Sequence, residues 1–237
     1  MIDRTPIDHT FLIKNKNMHV VEWPINKNMP YDENAENSPI VMLHATGFHA
    51  RCWDQVIRNL PNVPVYAIDT LCHGQSDSID PPYYWPNFAP YTEALIVKLG
   101  IKNITGIGHS FGGHLITLIA ASKPELFKQL ILLDPVIGDP EHMKFWQVIS
   151  GKVDNPVAKR RNQWASVDEL HNQLSQKRPY KFWNKQVFND YCEHGLLPAS
   201  THEGYELACP PSCEAAIYGV LNSEMICEKI PSIQTPT

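Results

Sequence analysis

The sequence predicts an α/β fold: a doubly wound, mostly parallel sheet that carries a helical cap. Three observations lead there. Short, continuously apolar runs of strand length recur along the chain, each opens into a loop of small and polar residues, and apolar stretches with helical spacing lie between them. Unbroken apolar strands, as opposed to alternating ones, are what a sheet covered by helices on both faces requires.

The elements follow in order. Residues 10–13 and 19–23 read as short strands around the polar Lys14-Asn15-Lys16-Asn17, an antiparallel hairpin at the sheet edge. The segment from Asp32 to Ser38 is a loop by composition, and Pro39-Ile40-Val41-Met42-Leu43 then runs straight into His44-Ala45-Thr46-Gly47-Phe48. Trp53, Val56, Ile57 and Leu60 recur at i, i+3, i+4 and i+7 and predict a helix from Trp53 to Leu60. The next strand is Val65 to Asp69, followed by a turn-forming loop to Ser76 that contains His73-Gly74. Ile104 to His109 repeats the design and leads through Ser110 into an apolar helix ending near Ser122, after which Leu130 to Leu133 supplies another strand, closed by Asp134-Pro135. From Val136 to Ala208 the strand rhythm gives way to aromatic-rich segments read as helical, marked by Phe145, Trp146, Trp164, Phe182, Trp183, Phe188 and Tyr191. Each of these aromatics either packs the cap on the core or lines an apolar pocket. A further helix is expected from Cys213 to Leu221. The organisation is thus a core over 1–135, a cap insertion over 136–208, and a return to the core over 209–237 that stops before the last strands.

The chemistry concentrates at Gly108-His109-Ser110-Phe111-Gly112. G-x-S-x-G alone is as easily a glycine-rich loop with an exposed serine. Between an apolar strand and an apolar helix it becomes a nucleophile elbow, a turn so tight that the positions two before and two after the serine must lack bulk. Ser110 is the candidate nucleophile. The turn also aims the first N–H groups of the helix at the reaction centre, so the Phe111 amide is a candidate oxyanion donor, and the Thr46 amide in the loop after Leu43 is the second.

With three motifs in this order, the 44–48 loop, the 69–76 loop and the elbow, the chain resembles the α/β-hydrolases over about residues 38 to 220. The resemblance implies a lid inserted after the strand that follows the elbow. Arg160-Arg161-Asn162 with Trp164, Arg178-Pro179, Tyr191, Glu193-His194-Gly195-Leu196, and Cys209-Pro210-Pro211 with Glu214-Ala215-Ala216 are similar to a subgroup that includes the fungal abhydrolases of host-selective toxin biosynthesis. Epoxide hydrolases and dehalogenases of this fold place an Asp at the elbow, so Ser110 argues against both.

Acyl transfer by serine needs a base near neutral pKa and a carboxylate to orient it. In this fold the chain order is Ser, acid, His. Downstream of Ser110 stand His114, His142, His171, His194 and His202, none after a candidate terminal strand. His114 reads as structural, and His44, His73 and His109 as loop scaffolding. The resemblance implies that the prolyl segment ending Pro236-Thr237 leads into another strand, followed by the acid and the histidine, so a polypeptide stopping at Thr237 is expected to lack its base and to be poorly active. Asp134 has two readings, the acid of the site or a turn-starting residue before Pro135.

Composition narrows the classes. The 237 residues are 43% hydrophobic with net charge −5, so nothing suggests a nucleic-acid-tracking surface. Lys159, Arg160, Arg161, Lys177, Arg178, Lys181 and Lys185 make the cap locally basic, read as a solvated face or, alternatively, an anion site. Cys209 and Cys213 lack zinc-site spacing, and no metal or cofactor is expected. No stretch suits a signal peptide or a membrane span, so the reading is intracellular. The resemblance implies peroxisomal residence, which Thr235-Pro236-Thr237 does not encode. The partner expected is a small-molecule acyl substrate, converted by a serine hydrolase or, in the alternative, held as a small apolar ligand by a catalytically silent relative.

Overall fold

A computed structural model describes residues 4–28, 38–138, 155–219 and 224–237. The expected 32–37 loop, His142, Phe145, Trp146 and Leu221 lie outside the described residues.

Strands β1 (Ile7–Ile13) and β2 (Lys16–Trp23) form the hairpin, in register from Ile7 opposite Glu22 to Ile13 opposite Lys16. The connection is only Lys14-Asn15, both with positive φ (49° and 82°), the two-residue turn whose twist matches paired strands. Next come β3 (Ile40–Leu43), a 3₁₀ turn at Ala50–Trp53 that runs into the one-turn helix α1 (Asp54–Ile57), and β4 (Val65–Ile68). The helix expected from Trp53 to Leu60 is shorter than its spacing suggested. Its last residues close by the tighter bonds Asn59 N–H to Val56 O and Leu60 N–H to Ile57 O, and Pro61 follows.

Helix α2 (Ala89–Lys98) precedes β5 (Ile104–His109), and α3 (Phe111–Ser122) precedes β6 (Phe127–Leu133). The strands order as β1-β2-β4-β3-β5-β6, with β4, β3, β5 and β6 parallel and the hairpin antiparallel at one edge. Alternation within β3 explains its unbroken apolar run. Val41 and Leu43 join the core with α2 and α3 (Leu95, Leu115, Ile119), while Ile40 and Met42 pack with Trp53 and Ile57 on the other face.

The cap region departs from the helical expectation. Beside α4 (Val167–Ser175) and α5 (Lys185–His194) it contains a three-stranded antiparallel sheet, β7 (Gln163–Trp164), β8 (Leu196–Pro198) and β9 (Tyr205–Leu207), in the order β7-β9-β8. Strands of two or three residues are too short to show a period of two. Trp164, Leu170, Phe188, Tyr191, Leu196 and Leu207 form the cap's own core, against which Phe48 and Cys52 pack. Phe182 stays exposed, with Arg178 and Lys181 over its ring. The chain returns through α6 (Pro211–Gly219), which starts two residues before the expected Cys213 with Pro at its first position, and α7 (Glu224–Lys229). Residue 236 then reaches the far edge of the sheet, where the Leu130 amide donates to Pro236 O at 2.8 Å.

Among the described residues no helix is long and apolar enough to cross a membrane, and no group of His, Cys, Asp and Glu is placed to hold a metal ion.

Among the described residues burial depresses six histidines, His44, His49, His73, His109, His114 and His194, three of them by a wide margin. His49 and His114 fall to about 4 and His73 to about 3, each chiefly because desolvation penalises the charged ring. A histidine held neutral in the fold and titrating near 6.5 when unfolded contributes stability that is complete above pH 6.5 and is lost as pH falls toward its folded pKa. Each of those three loses about 2 kcal/mol between pH 6.5 and pH 5. His19, raised chiefly by Asp69 against its own burial, and Asp54, raised by desolvation to about 6, oppose part of this loss. The thermal midpoint is therefore expected to fall between pH 7 and pH 5, and His114→Phe should shallow the dependence by about one proton. A midpoint independent of pH in this window would overturn the assignment.

Candidate active site

Ser110 occupies the single residue between β5 and α3, at φ 51° and ψ −113°. Non-glycine residues rarely adopt this conformation, which costs roughly 1–3 kcal/mol. Three backbone bonds fix it. The Ser110 amide donates to Leu133 O at 3.0 Å, and Ser110 O accepts from the amides of His114 at 3.0 Å and Val136 at 3.4 Å. The flanking glycines are sterically required. A Cβ on Gly108 would lie 2.6 Å from Gly112 O, and one on Gly112 would lie 2.4 Å from Leu43 O. The first turn of α3 is thereby seated on the ends of β3 and β5.

As the first helical residue, Phe111 has an amide with no intrahelical acceptor. Thr46 sits in a turn closed by the Phe48 amide donating to Ala45 O at 3.1 Å, with Gly47 at φ 79° in the third position. Neither the Thr46 nor the Phe111 amide has an acceptor among the described residues. The turn follows β3 directly and α3 follows β5, its neighbour in the sheet, so adjacent strands deliver both candidate donors.

Asp69, at the end of β4, organises the loops behind this centre. One carboxylate oxygen accepts the Ala50 amide at 2.6 Å; the other accepts the Gln75 amide at 3.0 Å and a bond from His19 Nδ1 at 2.7 Å. Burial alone would raise its pKa, but His19, with His44 and His49 nearby, holds it well below the usual carboxylate range. A Cβ on Gly74 would collide with this carboxylate, which accounts for the His73-Gly74 pair in the loop.

The histidines divide by place. His44 takes the Thr70 amide on Nε2 at 3.1 Å and donates from Nδ1 to Ala45 O at 2.8 Å, so its tautomer is set and it braces the turn that bears Thr46. His73 donates to Leu71 O at 3.0 Å, and His114 donates to Val136 O at 2.9 Å, tying α3 to the segment after β6. His171 pairs with Asn189, and His202 lies 3.6 Å from Glu206 within the cap. His194 is edge-on to the ring of His49. Among the described residues no side chain hydrogen-bonds the Ser110 hydroxyl. Asp134 stands exposed at the tip of β6, at φ 44°, close enough to His109 to act on its titration, though desolvation dominates there.

Beside the elbow lies a cavity of about 320 Å³ lined by His44, Ala45, Phe48, Cys52, Trp53, His109, Trp183 and Val187. Trp183 stacks on Phe48 at 5.6 Å between centroids. Two of the cap's basic residues are engaged elsewhere: Arg160 with Glu214 at 2.5 Å and Tyr191 at 3.2 Å, and Arg161 with Glu169 at 2.7 Å. The sequence reading placed Arg160 on a basic face. Its partner is far along the chain, and no local spacing announces the pair.

Comparison with known proteins bears on the fold and the family. The chain is 29% identical over 139 residues to lipase LipV of Mycobacterium tuberculosis, covering 54% of this chain and 52% of LipV. It is 31% identical over 93 residues to the abhydrolase domain-containing protein AKT2 of Alternaria alternata, covering 39% of this chain and 33% of AKT2. The chain thus spans about half or less of the length of these curated relatives. The crystal structure of E-2-(acetamidomethylene)succinate hydrolase superposes with a TM-score of 0.75 at 17% identity, over 98% of this chain and 79% of that one. The alpha/beta hydrolase family is matched over residues 40–211, from the start of β3 to the start of α6, and the chain belongs to that family.

Proposed function

We propose that the chain carries the nucleophile and the oxyanion hole of a serine hydrolase acting on an ester, thioester or related acyl compound. The observation that carries this reading is the strained Ser110 between β5 and α3, with the acceptor-free Phe111 amide next to it in the chain and the acceptor-free Thr46 amide in the turn after the neighbouring strand β3. Ser110 Oγ attacks the acyl carbon, and the Phe111 and Thr46 N–H groups donate to the carbonyl oxygen as it becomes negative; one such donor contributes on the order of 10²–10³ in rate. The proton leaving Ser110 goes to a general base, a histidine in the Ser, acid, His order of this fold, with Asp134 a candidate to orient it. Residues 136–208 act as the lid. The acyl group enters the cavity beneath Trp183. Among the described residues its lining contains no Lys or Arg, which suits a neutral acyl chain and not a dicarboxylate. The cap motifs shared with fungal abhydrolases, together with the similarity to the Alternaria protein, support a place in secondary metabolism, host-selective toxin biosynthesis included.

The Ser110 hydroxyl, unpaired among the described residues, favours a second reading, a catalytically silent family member that binds a small apolar ligand in the same cavity. Labelling by an alkyl fluorophosphonate, mapped by mass spectrometry, separates the two. The serine-hydrolase reading expects modification at Ser110, abolished in Ser110→Ala, whereas an unmodified Ser110 in a protein that still binds a neutral ester selects the silent reading. A probe ending in a carboxylate should label about tenfold more slowly than its neutral counterpart, and equal rates would remove the neutral-acyl assignment. Because Ser110 is held at positive φ, Ser110→Gly should raise stability by about 1 kcal/mol while abolishing labelling. A denaturant midpoint that drops in this variant would contradict the strain.

A further inference from the structure

We propose that helix α6 clamps the turn that bears the Thr46 amide, and that Glu214 and Tyr218 are positioning residues for the oxyanion hole. The inference rests on the serine-hydrolase reading. Glu214 and Tyr218 stand four residues apart on α6 and so share one face, and both meet the same turn. The Glu214 carboxylate lies against the Gly47 α-carbon, where an added Cβ would come within 2.4 Å of its Oε1. The Tyr218 hydroxyl donates to Thr46 O at 3.5 Å. From the segment entering α6, the Cys209 sulfur faces the Gly47 amide across a small void. The peptide between Thr46 and Gly47 is therefore confined at both ends.

This arrangement decides which donor the turn offers. The Phe48 N–H is committed to Ala45 O and the Gly47 N–H faces the Cys209 sulfur, leaving the Thr46 N–H, which has no acceptor among the described residues, as the turn's available donor. Rotation of the held peptide would swing the Gly47 N–H around and convert the turn to another type, since turn types differ in that peptide's orientation. The clamp is anchored in turn. Glu214 is buried and paired with Arg160 at 2.5 Å, and Arg160 also donates to the Tyr191 hydroxyl of the cap. The void among Gly47, Phe48, Arg160, Tyr191 and Cys209 is only about 10 Å³, so the turn has little room to shift while these contacts hold. Oxyanion stabilisation depends on donors fixed before the charge develops. Here the fixing comes from a helix distant in sequence that contributes no reacting group.

The test uses Tyr218→Phe and Glu214→Gln, which keep ring and size, with two readouts. The first is amide exchange of Gly47 and Phe48 by NMR, which does not depend on activity and should accelerate about tenfold in both variants. The second is fluorophosphonate labelling of Ser110, where the maximal rate should fall about tenfold at unchanged half-saturating probe concentration, with the thermal midpoint within a few degrees of the parent. Unchanged exchange overturns the clamp, and faster exchange with parental labelling overturns the positioning role. A labelling loss that tracks a collapse in thermal midpoint also overturns it, by reducing both residues to structural support. A parent that is never labelled at Ser110 overturns the serine-hydrolase reading instead, and the positioning role with it.

Discussion

The approach of the first turn of α3 to the ends of β3 and β5 is the constraint on which the site depends. The Gly112 α-carbon sits against the carbonyls of Leu43 and His44, and Gly108 sits against Gly112 and Gly113. No side chain fits between them. Once that contact is made, the chain has one residue in which to turn from strand to helix, and Ser110 absorbs the reversal by taking φ 51°. The strain is sustained by burial around it. Phe111 is fully buried against Trp85 and Phe88, and Leu115, Ile116 and Ile119 hold α3 on the sheet. Burying such side chains at about 1.5–3 kcal/mol each outweighs a local cost of roughly 1–3 kcal/mol. A candidate nucleophile in an unfavourable conformation is thus a consequence of packing the helix as closely as the glycines allow.

Asp69 performs the complementary task with charge. A buried carboxylate is tolerated only when its oxygens are satisfied, and satisfying them here draws together β2 through His19, the 3₁₀ turn through Ala50 and the 69–76 loop through Gln75. His19 also reaches Asp8 on β1 at 3.1 Å, so the antiparallel hairpin is tied to the parallel sheet by an ionic chain as well as by its ladder. His44 then extends the network from the Thr70 amide to Ala45 O, at the start of the turn that bears Thr46. The loops at the strand ends are thereby held as one unit, which a site built from separate loops requires.

Wherever the physical signal is local, the sequence displayed the structure. The apolar runs at Ile40–Leu43, Val65–Ile68 and Ile104–His109 became central parallel strands because helices cover both faces, and the glycines around Ser110 declared a close approach that any side chain would block. Helix α2 went unread because Ala89-Pro90 and Gly100 flank a segment whose apolar residues form no clean stripe. The cap sheet was hidden by strands of two or three residues. The partnerships of Asp69 with His19 and of Glu214 with Arg160 were equally invisible, since each spans about fifty positions and depends on a fold already in place. Glu214 did appear among the residues that resemble the fungal abhydrolases, but only its contact with Gly47 says what it does.

The two sides of the candidate site are held by different physics, and this bears on how the family can change substrate while keeping its chemistry. The elbow side is fixed by backbone contact and a fully satisfied carboxylate, where a single methyl group would collide. The cap side is joined to the core by separated polar links, His49 with Tyr191 O at 3.1 Å, Gln55 with Asp190 at 2.7 Å and Arg160 with Glu214 at 2.5 Å, around a cavity whose walls are mainly aromatic and aliphatic. Aromatic walls such as Phe48 and Trp183 can be resized without leaving a polar group unsatisfied, whereas the links must be kept or lost in pairs, because one partner alone would leave a buried charge or donor uncompensated. Substitutions that alter this cavity are therefore cheap near Trp183 and Val187 and costly at Asp69 and at Arg160, whose truncation would leave the buried Glu214 carboxylate unpaired. The turn that bears Thr46 lies where the two regimes meet, braced by His44 from the core and by α6 from the far side, which is why its geometry can persist while the pocket in front of it varies.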